Sequence, residues 1–404
     1  LGLIEDSLIE TKVNSDLIQK LQKHLSLQVL LAIFLGICTG ILYPVFAVKT
    51  QIIATVFVEI IKPFIAPVIF LIVVSFFAGI VDLRAAGWLS LKSLLYFELI
   101  SFIAIVFGIC FTFIINPGAI NLTSFQLLTP EFQVAGVDSY WSNAILNLYP
   151  LIFLLLGCII GLMINRSKYK YQIASRLDKI RNLIFEILRY IFLLAPLAAY
   201  SGIAYTVGKF GPESLVPIGK LVAGTYLTMF LFIIIVFGGI LYFFKVNIIN
   251  FLNDIKQELL WVLGTSSSAS VLPLLMDKLE KMGYKRSVVS LVTVTGNSFN
   301  LTGTSLYIGI AVIFLSQLYQ VSFSFTEILT IILIIMMTSK GATGIAGTGF
   351  IAMATTITAI HKIPVEGLAI LLSVDRFMSE ARAITNTIGH GVATVVMSKN
   401  EKNL

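Results

Sequence analysis

Asp375, Ser379, Arg382, Asn386 and His390 stand in the segment "LSVDRFMSEARAITNTIGHGVATVV", residues 372–396. Steps of three and four residues put them on one face of a helix. A guanidinium is a planar fork that matches a carboxylate, the hydroxyl and amide add neutral hydrogen bonds, and an imidazole titrates near neutral pH when unperturbed. Together they could hold an anion and carry a proton. Arg376 and Glu380, four residues apart on a neighbouring face, are placed to pair with each other. Apolar sequence bounds the stretch on both sides, and at membrane depth such groups are costly and mark functional sites.

A bilayer is implied by composition. The chain has 404 residues, 57% apolar and 12% charged, where soluble domains carry about 25% charged residues. Uncharged runs at 145–165 and 221–244 can cross a hydrocarbon core that needs about 20 helical residues. No ten-residue segments alternate with period two, which excludes a barrel. The reading is an all-α membrane protein. The net charge of +7 gathers in "RSKYKYQIASRLDKIRN" (166–182) and "DKLEKMGYKR" (277–286), which read as short cytoplasmic loops and not as a nucleic-acid surface. Cys38, Cys110 and Cys158 sit in apolar runs without metal-ligand spacing. Residues 1–24 mix both charge signs, unlike a cleavable signal peptide, and read as a cytosolic lead-in.

Spans are expected near 26–48, 52–79, 88–116, 143–165, 182–208 and 216–244. Beyond them the pattern changes. "WVLGTSSSASVLPLLM" (261–276) and "IILIIMMTSKGATGIAGTGFIAMATTITAI" (331–360) each set a small, polar tip between short apolar arms. Arms of about 10 residues reach roughly 15 Å, half a bilayer, so both read as re-entrant helical hairpins. Between them, 287–315 is apolar at its ends and polar at Asn297–Thr304, a helix unwound in its middle. Non-helical backbone survives at that depth only inside protein or beside an aqueous cavity. Three interruptions therefore converge on one buried polar site, and a membrane carrier of a small anion is the function this supports.

The tip "TSSSASVLP", the break "NSFNLTGTSLY", the tip "SKGATGIAGTGF" and the helix "VDRFMSEARAITNTIGHGVAT", in that order, resemble the dicarboxylate/amino acid:cation symporter family. The likeness covers roughly residues 25–398 and is nearest to bacterial C4-dicarboxylate carriers. It implies eight transmembrane helices plus two re-entrant hairpins in the inner (plasma) membrane, with both termini cytoplasmic, and a homotrimer working as an elevator. Residues 25–79 and 143–208 would form the scaffold. Residues 88–116 and 216–398 would form the moving transport domain, with a gate at Ser339, Lys340 and Gly341.

By the same resemblance Arg382, Asn386, Thr304, Ser267, Ser268 and Ser379 would hold the substrate, with main-chain groups of Gly344 and Ile345. Family members that take amino acids have an aspartate and a threonine where this chain has Ser379 and Ala383, so a dicarboxylate such as succinate, fumarate or malate is expected over aspartate or glutamate. Two carboxylates of the family's sodium sites are Thr302 and His390 here, and no resident cofactor or metal is expected. Coupling would fall to protons, with His390, Glu98, Asn300, Gly296, Thr302 and Asp375 as the groups involved. The alternative for Glu98 is a buried acid that carries no proton and pairs with Arg376 or Lys340. The competing expectation is a sodium-coupled acidic amino acid symporter. A channel would share the polar interior but not saturate, and His24, His361 and His390 lack the spacing of a metalloenzyme site.

Overall fold

The computed structural model describes residues 25–57, 59–60, 63–64, 88–119, 156–157, 159–342, 348–364 and 367–401, with isolated positions at 67, 70–71, 74–75 and 78. Helices are the only regular secondary structure among them. In chain order they are Leu25–Leu42 (α1), Pro44–Lys49 (α2), Trp88–Ile115 (α3), Lys170–Ile191 (α4), Ala195–Phe210 (α5) and Leu215–Phe232 (α6). Next come Ile248–Asp254 (α7), Lys256–Thr265 (α8), Ser268–Lys281 (α9) and Arg286–Phe299 (α10). Thr302–Leu318 (α11), Phe325–Thr338 (α12), Thr348–Ile360 (α13) and Gly367–Glu401 (α14) complete the set. Among the described residues, three stretches are long and apolar enough to cross a membrane: Trp88–Ile115, Pro212–Phe243 and Arg286–Leu318.

Much of the span expected at 52–79, all of 143–155 and the lead-in 1–24 fall outside the described residues. The basic stretch 166–182, expected as a loop, is a correction: α4 begins at Lys170. No glycine or proline interrupts residues 170–191, and Ile173, Leu177, Ile180, Ile184 and Ile187 recur at helical spacing. The run through α6 continues in a π-helical turn, Ile233–Phe237, into Gly238–Phe243, a widening that periodicity alone does not reveal.

The described residues form two compact units. The first takes its members from Leu1–Ile61, Glu186–Val216 and Leu368–Arg376. In it α1 and α5 approach through small residues. A Cβ on Gly36 would lie 2.7 Å from the Tyr200 carbonyl oxygen, and one on Gly40 2.6 Å from Val207 Cβ. Glycines four apart let helix backbones meet where lipid supplies no hydrophobic drive. The Ser201 hydroxyl donates to the Thr50 carbonyl at 2.5 Å and accepts from Ala54 N at 3.1 Å. Gly40→Leu would overpack this seam by about 1–3 kcal/mol; thermal unfolding in detergent should show a lowered midpoint.

The second unit comprises Lys62–Phe185, Pro217–Gly367 and Phe377–Leu404. At its centre α11 is buried almost all round, as expected of a helix apolar on every face. It packs on α3, where a Gly108 Cβ would meet the Leu306 carbonyl oxygen at 2.5 Å. Gln317 ties the far end, accepting from Gly118 N at 3.0 Å and donating to the Thr112 carbonyl at 3.2 Å. The helices α8 with α9 and α12 with α13 form two helical hairpins. In the second hairpin the Thr338 and Thr356 hydroxyls hydrogen-bond at 2.6 Å near the tip. Ser324 and Glu327 make a capping box at its base, where Glu327 also pairs with Lys362.

Candidate functional site

Each interrupted element ends at one cavity. In the first tip, Ser266 takes a left-handed conformation with φ of 51°, which turns the chain sharply between α8 and α9. Ser267 then caps α9, its hydroxyl accepting from Ser270 N at 3.3 Å. The hydroxyls of Ser266 and Ser268 are buried and have no hydrogen-bond partner among the described residues. The helix break expected in 297–304 is present at Asn300 and Leu301, between α10 and α11. There the Thr302 hydroxyl donates to Asn300 Oδ1 at 2.8 Å. The newly exposed N-terminus of α11 is fastened to α14 by Gly303 N, which donates to Asn386 Oδ1 at 2.8 Å. Asn386 Nδ2 in turn donates to the Thr304 hydroxyl at 3.4 Å.

Arg382 lies at the heart of this arrangement and is 4% exposed. Its Nη2 donates to the Ser379 hydroxyl at 2.5 Å, and its Cζ sits 4.6 Å from the centre of the Tyr307 ring. On another side Gly349 of the second hairpin leaves room for it, since a Cβ there would be 2.9 Å from Cζ. The cavity is partly open, with about 260 Å³ of empty space when the part open to solvent is counted. Its walls are Ser266 and Ser268 from the first tip, Thr304 from α11, Ala342, Thr348 and Gly349 from the second hairpin, and Ser379, Arg382, Ala383 and Asn386 from α14. Arg382 is the only charged side chain in that lining. Five hydroxyls and one amide surround a single guanidinium, a donor-rich setting for a carboxylate.

The structure thus brings together Ser268, Thr304, Ser379, Arg382 and Asn386 of the residues singled out in the sequence. Ser267 caps α9 beside the cavity, and Ser266, not singled out in the sequence, joins Ser268 in the wall. Gly344 and Ile345 lie outside the described residues. Tyr307 was not singled out, although it stands three residues after Thr304, on the same face of α11. Thr348 and Gly349, at the far side of the second tip, carried no chemical signal of their own.

The expected coupling residues separate into groups. His390 is fully buried, and neither ring nitrogen has a hydrogen-bond partner among the described residues. Gly296 makes room for it, because a Cβ there would meet Nδ1 at 3.0 Å. Asn300 and Thr302, also fully buried, bond to each other. Glu98 pairs with Lys340 across 2.9 Å, one of its two expected partners. Ser339–Gly341 forms a short 3₁₀ turn closing α12. Asp375 is buried but falls in the first unit and does not line the cavity. No cluster of metal-ligating side chains occurs among the described residues.

These elements define a helical membrane protein organised around a buried, donor-rich cavity. The chain belongs to the sodium:dicarboxylate symporter family, whose model matches residues 25–400. It is 39% identical over 399 residues to a C4-dicarboxylate transport protein of Bacillus subtilis (strain 168), covering 95% of this chain and 94% of that protein. It is 40% identical over 403 residues to a protein of the same name from Burkholderia thailandensis, covering 95% and 93%. Both relatives are named as transport proteins.

Proposed function

We propose that this protein is a secondary active carrier of C4-dicarboxylates across the bacterial-type inner membrane. The observation that carries this reading is the cavity lining: one buried guanidinium, hydroxyl and amide donors, and no carboxylate. An anion entering it meets Arg382, Ser268 and Thr304, whereas the ammonium of an amino acid would meet no side-chain charge of opposite sign. Burying an ammonium without a carboxylate partner costs several kcal/mol. The names of the relatives agree with this substrate class.

The coupling ion in this reading is the proton. The sites where a free cation would need charged oxygens carry Thr302 and His390, and the buried His390 ring has unused nitrogens. Glu98, the other group considered for the proton, is ion-paired with Lys340, which leaves His390 as the carrier in this reading. Movement follows an elevator: residues 88–116 and 216–398, which carry both hairpins and the cavity, would travel as the transport domain, and Ser339, Lys340 and Gly341 would gate it. The assembly is a homotrimer in the lipid bilayer, each copy with its own cavity.

Ligand-dependent thermal unfolding tests the substrate class, since a ligand that binds only the folded state at 100 times its Kd stabilises by about 2.7 kcal/mol. Succinate, fumarate and malate should raise the midpoint, while aspartate and monocarboxylates at the same concentration should not. Stabilisation by aspartate alone would defeat the proposal. Ser379→Asp should remove the succinate effect: an acid in place of a hydroxyl bonded to Arg382 at 2.5 Å would neutralise the guanidinium and repel the ligand.

A further inference from the structure

Lys340 is the charge near the tip of the second hairpin, and it does not line the cavity. Its side chain is 6% exposed. The ammonium lies 2.9 Å from Glu98 Oε1, donates to the Phe299 carbonyl at 2.8 Å, and donates to the Ser101 hydroxyl at 3.3 Å. Phe299 is the last residue of α10 before the break, where the end carbonyls of a helix are open to donors from outside it. Glu98 and Ser101, three residues apart on α3, present their oxygens from the same face. A carboxylate, a main-chain carbonyl and a hydroxyl from two elements thus meet at one point. All are hard oxygen donors, the kind that bind alkali and alkaline-earth cations, and here the cation delivered to them is an ammonium on a four-carbon arm.

We propose that Lys340 is a tethered cation: its ammonium fills an oxygen-lined position that a free monovalent metal ion would otherwise take, so the hairpin tip docks on α3 and α10 without sodium. The tip and its charge arrive together. Ala342, two residues beyond Lys340, is part of the cavity wall, so seating the ammonium also sets that wall. Deleting Lys340 leaves Glu98, whose side chain is 27% exposed, without its ion-pair partner and removes a donor from the Phe299 carbonyl, which loosens the docked hairpin. A sodium ion is small enough to enter the space that the lysine arm vacates and can answer the same oxygens. For its consequence, sodium-independent transport, the inference rests on the carrier reading above; the geometry itself does not.

Thermal unfolding of the purified full chain, in sodium chloride against choline chloride at equal ionic strength, tests it without any transport assay. The wild-type midpoint should be the same in both salts. Lys340→Ala should unfold at lower temperature in choline, and sodium should raise its midpoint by about 2 °C or more. The double variant Lys340→Ala with Glu98→Gln should lose that sodium response. Lys340→Arg, which keeps the charge, should remain indifferent to sodium. Specific stabilisation of the wild type by sodium overturns the proposal, and so does a folded Lys340→Ala as indifferent as the wild type. Should Lys340→Ala yield no folded protein, the wild-type and Lys340→Arg arms still decide. A parallel arm with succinate reports on the carrier reading separately: failure of succinate to stabilise the wild type would sink that reading and leave the sodium result standing.

Discussion

Arg382→Ala is expected to abolish dicarboxylate uptake while leaving a folded protein. The guanidinium is buried, stacked on Tyr307 and held to Ser379, so it is set in place before any ligand arrives. A carboxylate gripped by its fork gains two charge-assisted hydrogen bonds, each worth about 1.5–3 kcal/mol. Losing both costs about 3–6 kcal/mol, or about a hundredfold to ten-thousandfold in affinity. Arg382→Lys keeps the charge but not the fork, and should fall between the wild type and alanine. Binding of labelled succinate to purified variants checks both, with the midpoint of unliganded unfolding as the control for folding. Wild-type affinity in Arg382→Ala would show that the cavity is not where the substrate sits.

Gly303→Ala should damage the protein as a structure. A Cβ at that position would stand 2.5 Å from the Arg382 carbonyl oxygen, 3.0 Å from Arg382 Cα and 2.8 Å from Thr385 Cβ. The first two are backbone atoms of α14 that cannot rotate aside, so α11 must move away. That movement would also stretch the 2.8 Å bond from Gly303 N to Asn386, the link that seats the broken helix against the cavity. Overpacking of this kind costs about 1–3 kcal/mol, and the lost bond adds about 1 kcal/mol. Thermal unfolding should show a clear drop in midpoint, together with weakened stabilisation by succinate. Gly219→Ala, where a Cβ meets nothing within 4 Å, is the matched control and should behave as the wild type.

Much of the architecture is legible in the chain because the membrane limits the choices. Backbone polar groups must be satisfied internally at bilayer depth, so the polar runs around Asn300, Ser266 and Lys340 could only be breaks or tips gathered on a protected site. The periodicity of Ser379, Arg382 and Asn386 likewise put one polar face on α14. Fine placement was less legible. Which serine of "TSSS" faces the cavity depends on the left-handed turn at Ser266, a conformation that a non-glycine residue does not advertise. Asp375 shares the helical face of Arg382 by spacing, yet it falls in the other unit; a face is a local property, and what covers it is not. Lys340, which pairs with Glu98, is 242 positions away in the chain, and only the folded hairpin brings the two together. Tyr307 reads as one more apolar residue of α11 until the ring is seen beneath the guanidinium.

The most direct measurement is uptake of radiolabelled succinate and of aspartate into proteoliposomes, with inward proton and sodium gradients imposed one at a time. Succinate uptake that saturates, follows the proton gradient and ignores sodium is the expected result, and it would join the carboxylate-free cavity, the buried His390 and the tethered ammonium of Lys340 in one account. Sodium-driven aspartate uptake, with succinate excluded, would contradict it.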